Sequence, residues 1–203
     1  MKNIINELNK LDLSTYPIKE VKDIFNHYQV GLLCQTLKAN EIIQRSVPYD
    51  EATVVNSVSQ LSYNPLPKKY GRASVPAVPM FYGCYSMNNK KTGSEMICST
   101  LEANADKEGI IYHSKWQLTD NINLACIIHP TLFPNTNNQL LINLKKRYLK
   151  LQKVYGDQEL DSNWKQICEL FSKPVAENKD YNYIITALLA QIIWTLWVMK
   201  FQN

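Results

Sequence analysis

The chain has 203 residues, of which 45% are apolar and 20% charged, with a formal net charge of +4. Such a composition excludes a disordered chain, and the length lets one domain bury a sizeable core. So small a charge permits an anionic ligand but lacks the dense basic stripe of a nucleic-acid-binding surface.

The N-terminus, "MKNIINELNKLDLS", mixes polar and charged residues with few apolar ones and does not read as a secretory signal. Five cysteines, Cys34, Cys84, Cys98, Cys126 and Cys168, include no C-x-x-C pair. Free thiols in a reducing cytoplasm are the simpler expectation, and a metal site is disfavoured.

Taken in order, residues 15–39 predict a helix, with Ile18, Val21 and Phe25 at helical spacing and Val30, Leu32 and Leu33 continuing an apolar run. "EIIQRSV" (41–47) is short and β-branched and predicts a strand ended by Pro48. Residues 50–79 predict mostly loop, and Pro76 and Pro79 argue against a regular helix there. "MFYGCYS" (80–86) predicts a second strand and "NNKKTG" a polar loop. "SEMICSTLEANADK" (94–107) predicts a helix capped by Ser94, with Ile97 and Leu101 on its apolar face. "GIIYHSKWQL" and "INLACIIH", separated by "TDN", predict a hairpin. Three helices follow, over 138–154, 161–172 and 181–199. The order predicts a mixed α+β domain with no long linker to divide it.

The stretch from Tyr181 to Met199 carries no formal charge and approaches the length of a short membrane span. Asn182, Thr186, Gln191 and Thr195 dilute it, so a buried core helix explains it equally well, and a tail anchor stands as an alternative.

Neither G-x-G-x-x-G nor G-x-x-x-x-G-K-[ST] is present, and His27, His113 and His129 lack metal spacing. His113 and His129 read as hydrogen-bonded structural histidines, and no local signature pairs Cys98 with His113 as thiol and base. What remains is arginine, tyrosine and glutamate. Arg45 sits inside an apolar strand. Arg72 follows Gly71, which allows a tight turn and close approach to a ligand. A guanidinium there suits bidentate binding of phosphate, or simply faces water. The Tyr82 ring either stacks on a flat ligand or fills core, and Glu102 matters only if it turns into a cleft.

"LSYNP" (61–65), "KKYGRASVPAVPMFYG" (68–83), "ICSTLEA" (97–103) and "SKWQLTDNINLACI" (114–127) together resemble the RES family, in that family's order. The similarity runs from about residue 15 to about residue 193. The resemblance implies an ADP-ribosyltransferase-like β core, here with an N-terminal helical region over 1–40 and a RES-like domain over 41–203 that ends in helices. It also implies an NAD⁺-consuming toxin, by hydrolysis, phosphorolysis with inorganic phosphate, or ADP-ribosyl transfer, neutralised by an Xre-type antitoxin. By that resemblance Arg72 grips the phosphates, Tyr82 lines the nicotinamide-ribose pocket, Arg45 matches the family's leading arginine and Glu102 its glutamate. The family's serine lies on a D-G-x-x-Y-P-S segment after a long helix. "DYNYIITALLAQIIW" resembles that helix, but the sequence then reads "TLWVMKFQN", and Ser114 aligns with an earlier strand. A truncated, catalytically impaired form that keeps nucleotide or antitoxin binding is therefore the alternative expectation.

Overall fold

The computed structural model describes residues 4–27, 33–85, 94–103, 109–156, 158–173, 175 and 179–201. In chain order the elements are α1 (Ile4–Leu8), α2 (Ile18–Asn26), β1 (Leu33–Leu37), β2 (Ile42–Tyr49), α3 (Val58–Leu61), β3 (Cys84–Tyr85) and α4 (Ser94–Glu102). Then follow β4 (Ile110–Gln117), β5 (Ile122–Cys126), α5 (Gln139–Tyr155), α6 (Gln158–Ser172) and α7 (Ile184–Phe201), with three single 3₁₀ turns between elements. Helices and antiparallel sheet together make a mixed α+β fold. The chain forms two compact units. One comprises the chain up to Cys34, Leu66–Pro79 and everything from Ala125; the other comprises Gln35–Pro65 and Met80–Leu124.

The first unit is helical and holds the apolar core. α7 buries Ile184, Ile185, Ala187, Leu188, Leu189 and Ile193, and packs with Val21 and Phe25 of α2, Ile4 and Leu8 of α1, and Ile167 and Cys168 of α6. A helix apolar on nearly every side is stable in water only when neighbours cover it, and these helices do. Thr186, also buried, satisfies its hydroxyl by donating to the Tyr183 carbonyl at 3.1 Å. Among the described residues no helix is long and apolar enough to cross a membrane. Asn138 caps α5, its Oδ1 accepting from the N–H groups of Leu140 and Leu141.

The second unit is built on an antiparallel sheet of order β3-β2-β4. β2 pairs with β4 along its whole length, from Ile42↔Gln117 to Tyr49↔Ile110, and among the described residues with β3 at Ile43↔Tyr85 and Gln44↔Cys84. That asymmetry explains why the strand runs through Pro48 rather than ending before it. Among the described residues no strand pairs with Pro48 on the β3 side of β2, so the missing N–H breaks no ladder described there.

Two further expectations are corrected. Residues 33–37 are strand, not the end of a helix: Leu33 and Leu37 are buried four apart. That spacing fits one face of a helix and one face of a strand alike, and pairing with β5 decides for the strand. The expected Val30 and Leu32 lie outside the described residues. Nor do β4 and β5 form a hairpin, since β5 pairs with β1 and β4 with β2. The connection at 118–121 instead docks on the one at 38–41. Asn40 donates its N–H to the Leu118 carbonyl at 2.8 Å, Leu118 donates to the Glu41 carbonyl at 3.0 Å, and Ala39 donates to Asn121 Oδ1 at 2.9 Å. Asn40 takes the left-handed φ of 71° that this turn requires. The loop 88–93, residues 104–107 of the predicted helix and the capping side chain of Ser94 are outside what the structure describes.

Candidate functional site

Side chains alternate across a strand, and the register sorts the second unit's candidates by face. Ser46 points at α4, where its hydroxyl meets that of Ser99, and its Oγ lies 2.8 Å from His113 Nδ1. Ser99 also donates to the Met96 carbonyl. The face of Ser46 is thus covered by α4, and Arg45, next in the strand, projects from the opposite face.

There Arg45 is half-buried. One Nη1 hydrogen donates to the Tyr82 carbonyl at 2.6 Å, and the guanidinium carbon stands 5.3 Å from the centre of the Phe81 ring. Phe81 meets Trp116 edge to face at 5.5 Å, and Trp116 donates its indole N–H to Ser114 Oγ at 2.8 Å. Ser114, directly opposite Arg45 in the ladder, donates to the Arg45 carbonyl. Burial pulls Arg45 below the usual arginine value, and the neighbouring Tyr49 and Tyr82 hydroxyls oppose that shift. Nε of Arg45 is enclosed and has no hydrogen-bond partner among the described residues. A half-buried cation attracts an anion at the part that stays exposed, whereas the enclosed Nε is out of a ligand's reach.

Gly83 makes this arrangement possible. A Cβ there would lie 2.5 Å from Ile43 Cγ2, 2.9 Å from the Phe81 ring and 3.1 Å from the Gln44 carbonyl. Only glycine lets the segment carrying Phe81 and Tyr82 run so close to β2. Of the predicted 80–86 strand, Cys84 and Tyr85 are paired, residues 80–83 are not strand, and residue 86 lies outside the described residues.

The structure brings Arg45 and Tyr82 together but leaves Glu102 apart from them. Glu102 is the last residue of α4, exposed, on the covered-face side of the sheet rather than Arg45's side. The expected apolar face of α4 is also corrected. Ile97 and Leu101 are 58% and 67% exposed, whereas Glu95 and Ser99 are buried. The inward position of Ser99 is fixed by its bond to Ser46, and a helix has only one inward stripe.

Arg72 belongs to the first unit. Gly71 and Ser74 exchange backbone hydrogen bonds at 2.8 and 3.4 Å, closing the tight turn that the glycine suggested. From it Arg72 donates Nη1 to the carbonyl of Phe171 at 2.6 Å, serving the C-terminal turn of α6. No helix occurs around Pro76 and Pro79.

His113 and His129 are hydrogen-bonded residues. Buried His129 accepts the Thr131 N–H at Nδ1, and its Nε2 faces Asp161 Oδ1 at 3.3 Å. Tyr148 and Gln152 donate to the same carboxylate oxygen. Among the described residues no three His, Cys, Asp or Glu side chains are grouped to hold a metal ion. A cavity of about 580 Å³ in the first unit, lined by Asp12, Ser14, Lys173, Tyr181 and Thr186 among others, contains none of the sequence-predicted residues.

Sequence reasoning missed Phe81, Ser114 and Trp116 as the seat of Arg45. The alternation of Tyr112, Ser114 and Trp116 was visible, but the register that sets Ser114 opposite Arg45 was not. No family model, no curated protein and no solved structure matches this chain.

Proposed function

We propose that the chain is an NAD⁺-consuming protein of the RES type, acting in the cytoplasm as the toxin partner of an Xre-type antitoxin. The observation that carries the reading is the half-buried Arg45 guanidinium, held on the Phe81 ring and the Tyr82 carbonyl. The resemblance assigns Arg45 and Tyr82 to NAD⁺, and a phosphate or ribose oxygen would meet the part of the guanidinium that stays exposed. The Tyr82 side chain is 41% exposed, and its hydroxyl lies near that cation.

The chemistry asks little else of the protein. Nicotinamide leaves neutral from a cationic ring, taking the electrons of the C–N bond and leaving an oxocarbenium-like ribose. Water or inorganic phosphate then adds at that carbon, yielding ADP-ribose and a proton, or the phosphorylated ADP-ribose. Holding the pyrophosphate fixes the ribose for attack, and a carboxylate near the ring stabilises the developing positive charge.

A second reading, binding without efficient turnover, is favoured by Glu102, which lies across the sheet from Arg45 and is exposed. Calorimetry with NAD⁺ and ADP-ribose tests both. Arg45→Ala should weaken binding about tenfold or more, since a hydrogen bond to a charged group contributes roughly 1.5–3 kcal/mol; undiminished binding would overturn the site. Glu102→Gln should bind like the parent. If turnover is present and unaffected by that change, Glu102 has no part in it.

A further inference from the structure

Cys84 and Cys98 are distant in sequence, but the fold sets them against each other. Cys84 lies on β3, the edge strand of the sheet, opposite Gln44. Gln44 and Ser46 share a face of β2, so Cys84 points to the side of the sheet that α4 covers. On α4, Ser99 is anchored over Ser46. Successive helix residues are turned by about 100°. Glu95, Cys98 and Glu102 therefore form one stripe, with Cys98 on the flank away from the Ser99 anchor, towards β3. β3 and α4 pack on each other. Cys98 is exposed while Cys84 is half-buried, as expected where a helix overhangs an edge strand.

We propose that Cys84 and Cys98 are a thiol pair that closes to a disulfide, a modification site that latches α4 to the edge of the sheet. The accessible Cys98 thiolate attacks a low-molecular-weight disulfide such as oxidised glutathione. One sulfur–sulfur bond breaks, a glutathione thiolate leaves, and a mixed disulfide forms. Cys84 then loses its proton and its sulfur attacks that of Cys98, expelling the second glutathione. Two protein thiols are oxidised and one glutathione disulfide is reduced to two thiols. Burial first, and then Cys98 and the two glutamates, raise the Cys84 thiol to about 11, so Cys84 does not lead the attack; the share due to the Cys98 charge is removed once Cys98 is in the mixed disulfide.

The latch has a consequence for the candidate site. Tyr82 precedes Cys84 by two residues and Glu102 follows Cys98 by one helical turn, so the bond would fix the two elements that carry them. The chemistry itself does not rest on the NAD⁺ reading, and neither does its test.

The full chain would be treated with a graded ratio of oxidised to reduced glutathione, quenched by alkylation, and mapped by mass spectrometry without reduction. We expect a Cys84–Cys98 cross-linked peptide, the parent mass less two hydrogens, and full reversal by excess reduced glutathione. Cys84→Ser should instead accumulate a stable glutathione adduct on Cys98, while Cys98→Ser should leave Cys84 largely unmodified. A persistent adduct on Cys98 in the parent, with Cys84 still alkylated, would overturn the proposal. So would a disulfide that joins either cysteine to another partner.

Discussion

At the scale of single residues, the strongest demands fall on Gly83 and Arg45. A methyl group at Gly83 must displace Ile43, Phe81 or the β2 backbone. Gly83→Ala should therefore destabilise by roughly 1–3 kcal/mol, as overpacking does. The same variant should weaken ligand binding, because the Tyr82 carbonyl moves from Arg45. Ile43→Ala in the same chain removes the nearest atom and should recover part of the loss. Denaturant titration of the single and double variants decides this, and a neutral Gly83→Ala would show that the close approach is not required. Arg72 makes a different demand. Its bond to the Phe171 carbonyl predicts that Arg72→Ala lowers stability by about 1.5–3 kcal/mol, the usual range for a charged donor. If Arg72 also grips phosphate, the variant loses NAD⁺ affinity as well as stability. Loss of stability alone assigns it to α6. Arg72 and Arg45 were both legible as candidates because arginine in an apolar or glycine-flanked setting is unusual. Their partners were not legible, since both bonds reach carbonyls 37 and 99 residues away.

At the scale of elements, local patterns carried the helices well and the strand pairings poorly. The apolar positions of α2, α5 and α6 recur at helical spacing, α7 is marked instead by its long uncharged apolar run, and Asn138, the first residue of the predicted helix, is the cap of α5. Asn138→Ala should cost about 1 kcal/mol, read from the same denaturation curves. The β1 segment was misread because Leu33 and Leu37 satisfy two periodicities at once. The β4–β5 hairpin was misread because its short connection suits a hairpin, whereas the pairing is set by the docked turns around Asn40 and Leu118. α4 was legible as a helix but not in its orientation. Its polar residues Glu95 and Ser99 face inward, and no sequence rule of apolar-face burial anticipates that.

At the scale of the whole molecule, the described buried apolar residues lie almost wholly in the helical unit; Leu37 is the one in the sheet unit. Hydrogen exchange should accordingly be slowest in α7 and α2, with amides of β2–β4 and α4 opening at lower free energy. Uniform protection across both units would contradict this. Leu188→Ala, in the centre of the core, should destabilise by about 2–5 kcal/mol. The pH dependence is set by groups that burial keeps neutral. Cys168 is raised from 9.0 to about 12, chiefly by desolvation. Tyr85 is raised to about 12, by desolvation and then by its bond to Glu41. Tyr148 is raised by burial and then by Asp161. A raised value means the folded state holds its proton more tightly. The stability is therefore fully present below about pH 9, where the unfolded thiol titrates, and is lost as pH rises towards 12. We expect the urea midpoint to fall across that window and the slope to lessen in Cys168→Ala. A flat profile to the top of the window would exclude burial of these groups.

The most direct test of NAD⁺ consumption is incubation of the purified chain with NAD⁺, with and without inorganic phosphate, followed by mass spectrometry of the products beside an Arg45→Ala control. We expect nicotinamide release above that control, with ADP-ribose or its phosphorylated form as the second product according to the acceptor. Folded protein that releases no more nicotinamide than the Arg45→Ala control would contradict it.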